Sequence, residues 1–352
     1  MNFNEKYIKL FANCIPVKGY RRSIIYDLQK MEFHFIPNDL YEIIERSSEV
    51  KLDKILAEVD AKTQNIIIEY IEFLISNDLA VLLDFDELSQ YPPVSLNWDY
   101  PSVITNAIID HGSWCDSNLN SFISQLDQLG CFNLQVRCYS PQTLEYWINF
   151  IEMFQNYRIT TIEFILKYDD TFQNMEAFSK FFTNPRVRNI QVHSTPLEKI
   201  NELKNKVSKV YYWEYELSDE ANCGEICPQY FSVNFSNFTE SLKFNTCLNR
   251  KISVDKNGTI KNCPSMRYGF GQVNTTTILE VLHTPRFQAL WNIKKDEIEV
   301  CKDCEFRYMC TDCRAYVTEP DNLFSKPAKC GYNPYEAKWQ TPQNKGFAFT
   351  EF

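Results

Sequence analysis

Apolar positions in the first 90 residues repeat first with the period of strands and then with the period of helices. The runs Ile8–Ile15 and Ser23–Leu28 predict two strands with a turn at Gly19–Arg22, and Phe33–Ile36 extends the second strand. Three helical stripes follow a helix start at Pro37. Their members are Leu40, Ile43 and Ile44; Leu52, Ile55, Leu56 and Val59; and Ile67, Ile71, Leu74 and Ile75. Leu79–Leu83 then predicts a further strand.

Residues 95–217 alternate between strand and helix patterns, after a short linker at residues 91–94. Five strands are predicted, at Val103–Ile109, Phe132–Cys138, Thr160–Leu166, Arg188–His193 and Lys209–Tyr215. The first helix between them ends at Gly130, and the second begins at Pro141. The first four strands start about 28 residues apart, which is the spacing of βα units. We therefore expect a parallel sheet with right-handed crossovers, either open or curved into a partial barrel.

Composition and charge narrow the classes of function. The chain has 352 residues, and its 36 Lys and Arg against 46 Asp and Glu give a net charge of −10. This acidic excess argues against nucleic acid as a partner, because phosphate binding needs a basic face. No apolar run reaches the roughly 18 residues of a membrane span, and Met1–Lys6 lacks the features of a secretion signal. We expect a cytoplasmic protein of two or three domains with no membrane partner.

Cysteine carries the candidate chemistry, because seven of the 13 Cys residues lie between residues 247 and 352. An odd number of thiols in a reducing compartment predicts metal ligation rather than disulfides. Between Cys247 and Cys263, the segment Asp255–Gly258 predicts a hairpin turn that would bring the two thiols near the ends of one hairpin. The other five are Cys301, Cys304, Cys310, Cys313 and Cys330. Thiolates select Zn²⁺ or iron–sulfur clusters, and the short interval between the two Cys-x-x-Cys pairs is more typical of iron–sulfur sets.

The order of these seven cysteines, with Gly258 among them, closely resembles the motif of SPASM domains. SPASM domains follow radical S-adenosylmethionine (SAM) barrels in enzymes that modify ribosomal peptides, and they hold auxiliary [4Fe-4S] clusters. The whole chain resembles the SPASM-domain peptide maturase of grasp-with-spasm systems, most clearly at Lys6–Arg22, Asn245–Met266 and Val300–Tyr335. It departs from the family motif at Thr311–Asp312, where two residues stand in place of three. The resemblance implies a precursor peptide and an ATP-grasp ligase as partners.

Two interleaved sets of cluster ligands are also implied by this resemblance. One [4Fe-4S] cluster would be held by Cys301, Cys304, Cys310 and Cys330. The other would be held by Cys247, Cys263 and Cys313, with Cys223 or Cys227 as its fourth ligand. Cys223 is preferred because Gly224 after it permits a close approach of the backbone. Alternatively, the cluster held by Cys247, Cys263 and Cys313 has no fourth cysteine ligand, and substrate would bind to its open iron.

The motif that binds the SAM-cleaving cluster, Cys-x3-Cys-x2-Cys, is missing where the resemblance would place it. The loop after the first βα strand, Asp110–Asp116, contains only Cys115. Cys223 and Cys227 have the first interval of the motif, but Tyr230 stands where its third cysteine would be. The middle region therefore resembles a degenerate and truncated radical SAM barrel without a SAM site, and whether the protein is an enzyme stays open.

The N-terminal unit, a strand pair followed by three helices, resembles the RiPP recognition element. This winged-helix module captures the leader of the precursor of a ribosomally synthesised and post-translationally modified peptide (RiPP). Residues 1–90 hold 10 Lys and Arg against 16 Asp and Glu, which disfavours DNA as the ligand of a winged helix. Peptides bind such modules as an added strand at a sheet edge. The alternative is a structural cap on the rest of the protein.

The sequence thus predicts an α/β protein of three domains: a winged-helix peptide-recognition unit at 1–90, a radical SAM-like partial barrel at 95–217, and a SPASM domain at 218–352. The predicted function is that of an iron–sulfur protein with one or two [4Fe-4S] clusters, which binds a RiPP precursor and works with an ATP-grasp ligase. One alternative is a peptide-binding scaffold that is stabilised by zinc and has no redox activity. Another is an enzyme whose open cluster acts on the peptide directly.

Overall fold

The computed structural model describes residues 3, 5–196, 199–202 and 209–340. Its N-terminal strands are β1 (Tyr7–Leu10), β2 (Cys14–Val17), β3 (Ser23–Asp27), β4 (Glu32–Ile36) and β5 (Ala80–Leu83). The helices between β4 and β5 are α1 (Asn38–Ser47), α2 (Leu52–Ala57) and α3 (Ala61–Ser76). Strands β2, β3 and β4 form an antiparallel sheet, and β1 pairs with β5. The unit therefore has the predicted order of strands followed by three helices.

Two details of the predicted strands are wrong. The run Ile8–Ile15 is divided between β1 and β2, which belong to different sheets, because the chain turns at residues 11–13. The segment Phe33–Ile36 does not extend β3 but returns antiparallel to it as β4. A turn ending at Met31, with a φ of 61°, reverses the chain between these strands.

The middle and C-terminal regions share one sheet. The middle elements are β6 (Asn106–Asp110), α4 (Cys115–Gln128), β7 (Asn133–Cys138), α5 (Leu144–Glu152), β8 (Thr161–Lys167), α6 (Met175–Thr183), β9 (Val187–His193), β10 (Lys199–Glu202) and β11 (Lys209–Tyr212). The later elements are α7 (Phe235–Ser241), β12 (Lys251–Val254), β13 (Ile260–Lys261), α8 (Ile278–Leu282), α9 (Pro285–Ala289), β14 (Tyr332–Asn333) and β15 (Lys338–Trp339).

Within the described residues, the central sheet has eight strands in the order β10-β11-β9-β8-β7-β6-β12-β13. The strands from β11 to β12 run parallel, and the hairpin β10–β11 and strand β13 add antiparallel edges. The expectation of a parallel sheet of βα units is confirmed, and the sheet is open rather than closed into a barrel. The strand pair β12–β13 comes from beyond residue 217, so the sheet crosses that predicted boundary.

Helices α4, α5 and α6 cover one face of this sheet, and residues along β8 therefore alternate between buried and half-exposed positions. In β8, Ile162, Phe164 and Leu166 are fully buried against the helices, while the residues between them are half-exposed. The core formed this way continues into Ile252 and Val254 of β12. No described helix is long and apolar enough to cross a membrane.

Candidate functional site

The hairpin β12–β13 places two of the predicted ligands at the base of one element. Its turn is fixed by Asp255, whose Oδ1 accepts hydrogen bonds from the backbone N–H groups of Asn257 at 2.9 Å and Thr259 at 3.0 Å. Gly258 has a φ of 80°, a conformation that favours glycine. Because β12 pairs with β6, the hairpin holds Cys247 and Cys263 beside the central sheet.

Four thiols form a first thiol group: Cys223, Cys247, Cys263 and Cys313. Burial raises the pKa of Cys263 to about 12, and the nearby charges of Cys247 and Cys223 add to this rise. Burial also raises the pKa of Cys313, and the same two thiols again contribute. Cys313 lies so close to Gly224 that a Cβ added to this glycine would be 2.8 Å from its Sγ. The predicted close approach of the backbone at Gly224 is therefore present, and the two-residue interval Thr311–Asp312 allows Cys313 to join this group.

The other four thiols form a second thiol group: Cys301, Cys304, Cys310 and Cys330. Burial raises the pKa of Cys301 to about 12, and the charges of Cys310 and Cys330 act in the same direction. Burial likewise raises the pKa of Cys304, and the charges of Cys310 and Cys301 add to this rise. A tight turn holds this segment, because Cys304 N–H donates to the carbonyl of Cys301 at 3.0 Å. These mutual effects on pKa link the thiols within each group, and the assignment of each group to one cluster stays a prediction.

Cys227 lies on the side of the second group, because its neighbour Ile226 forms a parallel β-bridge with Cys330. It is buried, and its pKa is raised by burial and by the charge of Glu225, with no contribution from another thiol. Cys223, in contrast, is exposed and acts on the thiols of Cys263 and Cys313. The geometry thus favours Cys223 over Cys227 as the fourth member of the first group.

Each thiol group has one lysine beside it, which the sequence patterns did not reveal. Lys251 Nζ lies 3.6 Å from the Sγ of Cys247. Burial opposes the charge of Lys251, but the thiols of the first group outweigh burial and raise its pKa. Lys295 is 4% exposed, and its pKa is likewise raised by Asp312, Cys310 and Cys301 against the effect of burial. A cation at each group would offset the negative charge of thiolate ligands.

The candidate ligands in both groups are thiols. Eight soft thiols in two sets of four are the ligands that [4Fe-4S] clusters take. Among the described residues, no three His, Cys, Asp or Glu side chains converge closely enough to hold one metal ion.

The carboxyl ends of β6 and β7, where the SAM-binding loop would lie, hold a different arrangement. Asp110 and Arg137 form a buried ion pair with 2.6 Å between Oδ1 and Nε. The next residue, His111, places Nε2 2.6 Å from the hydroxyl of Tyr146 rather than pairing with a thiol. Cys115 is buried, and burial raises its pKa to about 12, so it lacks the character of a nucleophile.

The loop after β6 is also closed against the hairpin turn. A Cβ added to Gly112 would be 2.0 Å from the carbonyl oxygen of Lys256, so no larger residue fits there without displacing the backbone. The ring of Trp114 is buried, and its indole N–H donates to the carbonyl of Asp110 at 3.2 Å. This edge of the sheet is therefore packed by the chain itself.

The N-terminal unit is fastened to the segment that carries the second thiol group. Glu305, which follows Cys304, is fully buried and binds Arg22 with 2.8 Å between Nε and Oε1. The hydroxyl of Tyr26 donates to the carbonyl of Glu305 at 2.7 Å. Phe306 packs against β4 through Phe33 and Phe35. No local sequence pattern predicts these contacts, because the partners are more than 270 residues apart.

Comparison with known proteins adds one family match. Residues 246–305 match the model of the SPASM family, which is described as an iron-sulfur cluster-binding domain. The match contains Cys247, Cys263, Cys301 and Cys304, and it confirms the predicted SPASM domain in this part of the chain. No curated protein sequence matches the chain.

Among solved structures, two matches are crystal structures of SuiB from Streptococcus suis, one of them bound to S-adenosylmethionine. The first is 10% identical with a TM-score of 0.30 and covers 87% of this chain and 96% of that chain. The second is 9% identical with the same TM-score and the same coverage. Scores at this level do not establish a common fold.

Proposed function

We propose that this protein is an iron–sulfur component of RiPP maturation, with one [4Fe-4S] cluster at each thiol group. The observation that carries this proposal is the match of residues 246–305 to the SPASM family, and the two thiol groups around this segment, each with a lysine beside it, support it. A bound cluster would supply redox or Lewis-acid chemistry at its site. Free thiols are retained in a reducing compartment, which suits a cytoplasmic protein.

The partners are proposed on the basis of the sequence resemblance. The N-terminal unit would capture the leader of a precursor peptide, and an ATP-grasp ligase would act on the captured precursor. A SAM-cleaving role is not proposed, because the loop Asp110–Asp116 offers one cysteine where three are required.

The hydrogen-bond pattern of the N-terminal sheet indicates which edge would receive the leader. Antiparallel residues turn their N–H and C=O groups alternately toward one neighbour and then the other. In β2, the Cys14 N–H donates to Phe11 at 2.8 Å instead of to β3, so Cys14 and Pro16 face the outer edge. Pro16 has no N–H to offer, and this edge is therefore poorly suited to an added strand.

Strand β4 offers the better edge. Ile24 and Tyr26 of β3 turn their backbone groups toward β2, so Ile25 between them turns toward β4 and bonds to its partner His34. By the same alternation, Phe33 and Phe35 on either side of His34 turn their backbone N–H and C=O groups outward. Among the described strands, none pairs with β4 on that side. A leader strand added here would lie next to Phe306 and thus to the second thiol group.

The experiment is to purify the full chain without oxygen and to measure iron, sulfide and zinc per chain, together with the visible absorption spectrum. Two clusters predict about eight iron and eight sulfide with broad visible absorption. About four of each would mean that one site is filled. One or two zinc without sulfide would overturn the iron–sulfur proposal and leave the zinc-stabilised peptide-binding scaffold.

Peptide binding is tested separately with a synthetic leader peptide of a grasp-with-spasm precursor. Binding by the full chain, followed by fluorescence anisotropy of a labelled leader, supports the recognition role, and no binding would overturn it. An electron paramagnetic resonance (EPR) signal that changes when peptide is added would favour direct chemistry at an open cluster.

A further inference from the structure

Asp312 lies on the two-residue interval between Cys310 of the second thiol group and Cys313 of the first. It is 1% exposed. Its Oδ1 lies 2.6 Å from Nη2 of Arg314 and 3.5 Å from Nζ of Lys295, and its Oδ2 accepts a hydrogen bond from Nδ2 of Asn245 at 2.6 Å. One carboxylate thus has buried partners in three directions.

Asn245 connects Asp312 to the first thiol group. Its own side chain is 1% exposed, and its Oδ1 accepts hydrogen bonds from the backbone N–H groups of Cys247 at 3.1 Å and Leu248 at 2.9 Å. The bond to Asp312 fixes which end of the amide is the donor, and the other end then holds the backbone at Cys247. Nδ2 of Asn245 also donates to the carbonyl of Ile293 at 3.3 Å, so the carboxylate of Asp312 at 2.6 Å is the nearer of the two acceptors that orient this amide and, through it, the backbone at Cys247.

Lys295 connects Asp312 to the second thiol group. Its Nζ donates to the carbonyl of Thr311 at 3.2 Å, and its charge acts on Cys301 and Cys310. Without Asp312, the two cations Lys295 and Arg314 would be buried side by side with no carboxylate between them. Asp312 therefore also sets where Lys295 stands relative to the second group.

We infer that Asp312 is a positioning residue that couples the two cluster sites, so that filling one site prepares the ligands of the other. This inference rests on the proposed function. A cluster orders the loops that bind it, and this ordering costs conformational entropy. Because Asp312 contacts the surroundings of both sites, the first cluster to bind already orders part of the other site, and the next cluster then binds at a lower entropic cost. Such couplings are typically about 5–150-fold in affinity, and the effect is the same in both directions.

The test counts clusters on individual chains. The apo protein is supplied with iron and sulfide in amounts below saturation, and native mass spectrometry resolves chains with no, one or two clusters. The wild type is expected to contain mainly chains with none or two. Asp312→Asn and Asn245→Ala are each expected to accumulate chains with one cluster, because the coupling factor falls to about one. Asp321→Asn removes a carboxylate from an exposed position and is expected to retain the wild-type distribution.

A spectroscopic readout separates positioning from general loss of structure. In Asn245→Ala the single cluster is expected to occupy the second site, and its EPR spectrum should match that of Cys263→Ser, in which only the second site is complete. Equal loss of both signals would overturn the inference, as would a wild type that fills its sites independently. If Asp312→Asn does not fold, Asn245→Ala carries the test. A wild type with no cluster at all would instead overturn the proposed function, and this inference with it.

Discussion

The guanidinium of Arg22 is bound to Glu305, with 2.8 Å between Nε and Oε1, across 283 residues of chain. Glu305 is fully buried, and its neighbour Cys304 belongs to the second thiol group. The hydroxyl of Tyr332 also binds the Glu305 carboxylate. This contact makes the N-terminal unit and the cysteine-rich segment parts of one packed interface.

Replacing Arg22 by alanine is expected to destabilise this interface. The substitution leaves the buried carboxylate of Glu305 without its cation, and loss of one partner of a buried pair is costly. Because Arg22 is 31% exposed and water replaces part of the interaction, we expect a loss of about 2 kcal/mol in the free energy of unfolding. Denaturant unfolding measures it. Arg21→Ala, at the exposed neighbouring position, should change stability by no more than about 0.5 kcal/mol, and equal effects of the two substitutions would contradict the prediction.

The fourth ligand of the first thiol group can be identified by two matched substitutions. Cys223→Ala is expected to reduce iron by about four per chain, or to convert the cluster to a three-iron form, because this thiol belongs to the first group. Cys227→Ala should leave the iron content unchanged, since no thiol of the first group contributes to the pKa of Cys227. Iron and sulfide assays with EPR spectra provide the measurement, and the reverse pattern would assign the ligand to Cys227.

Leader binding at β4 is expected to depend on the backbone N–H of Phe35. Phe35→Pro removes this outward-facing N–H, whereas Phe35→Ala removes the ring and keeps the N–H. We therefore expect Phe35→Pro to weaken binding of the labelled leader by about tenfold more than Phe35→Ala does. Fluorescence anisotropy measures both dissociation constants. Equal affinities for the two variants would show that the peptide does not extend the sheet at this edge.

The buried ring of His193 predicts a loss of stability in mild acid. Burial lowers its pKa, as does Lys167, while hydrogen bonding of the ring to the backbone carbonyl of Cys138 and the charge of Glu216 raise it. The folded pKa therefore lies below the unfolded value of about 6.5. Its contribution to stability is present above about pH 6.5 and is lost as the pH falls through the folded pKa, because the unfolded chain binds the proton more tightly.

The variant His193→Gln is expected to lose less unfolding free energy than the wild type between about pH 7.5 and pH 5.5. Comparing the two proteins isolates His193, since the other titrating groups are common to both. His283→Gln alters an exposed ring and should follow the wild-type curve. Parallel curves for the wild type and His193→Gln would contradict the prediction.

Local patterns predicted those elements whose signal is local. The alternation in Thr160–Leu166 corresponds to β8, and the predicted helix end at Gly130 corresponds to a residue with a φ of 80° just after α4. Turn residues also located the hairpin β12–β13. The pattern failed at Phe33–Ile36, because a strand that continues and a strand that reverses have the same alternation, and only the turn before Glu32 distinguishes them.

The amino-acid sequence by itself determined the chemistry: the number and spacing of the thiols, the missing cysteines of the SAM motif, and the residue types that build each strand and helix. The tertiary structure decided which groups meet. It joined β12 to β6, bound Arg22 to Glu305, and placed Asp312 between Asn245 and Lys295. Spacing along the chain fixes contacts within a turn or a helix, whereas contacts between distant segments arise from how the packed layers fit together, and no local pattern records that fit.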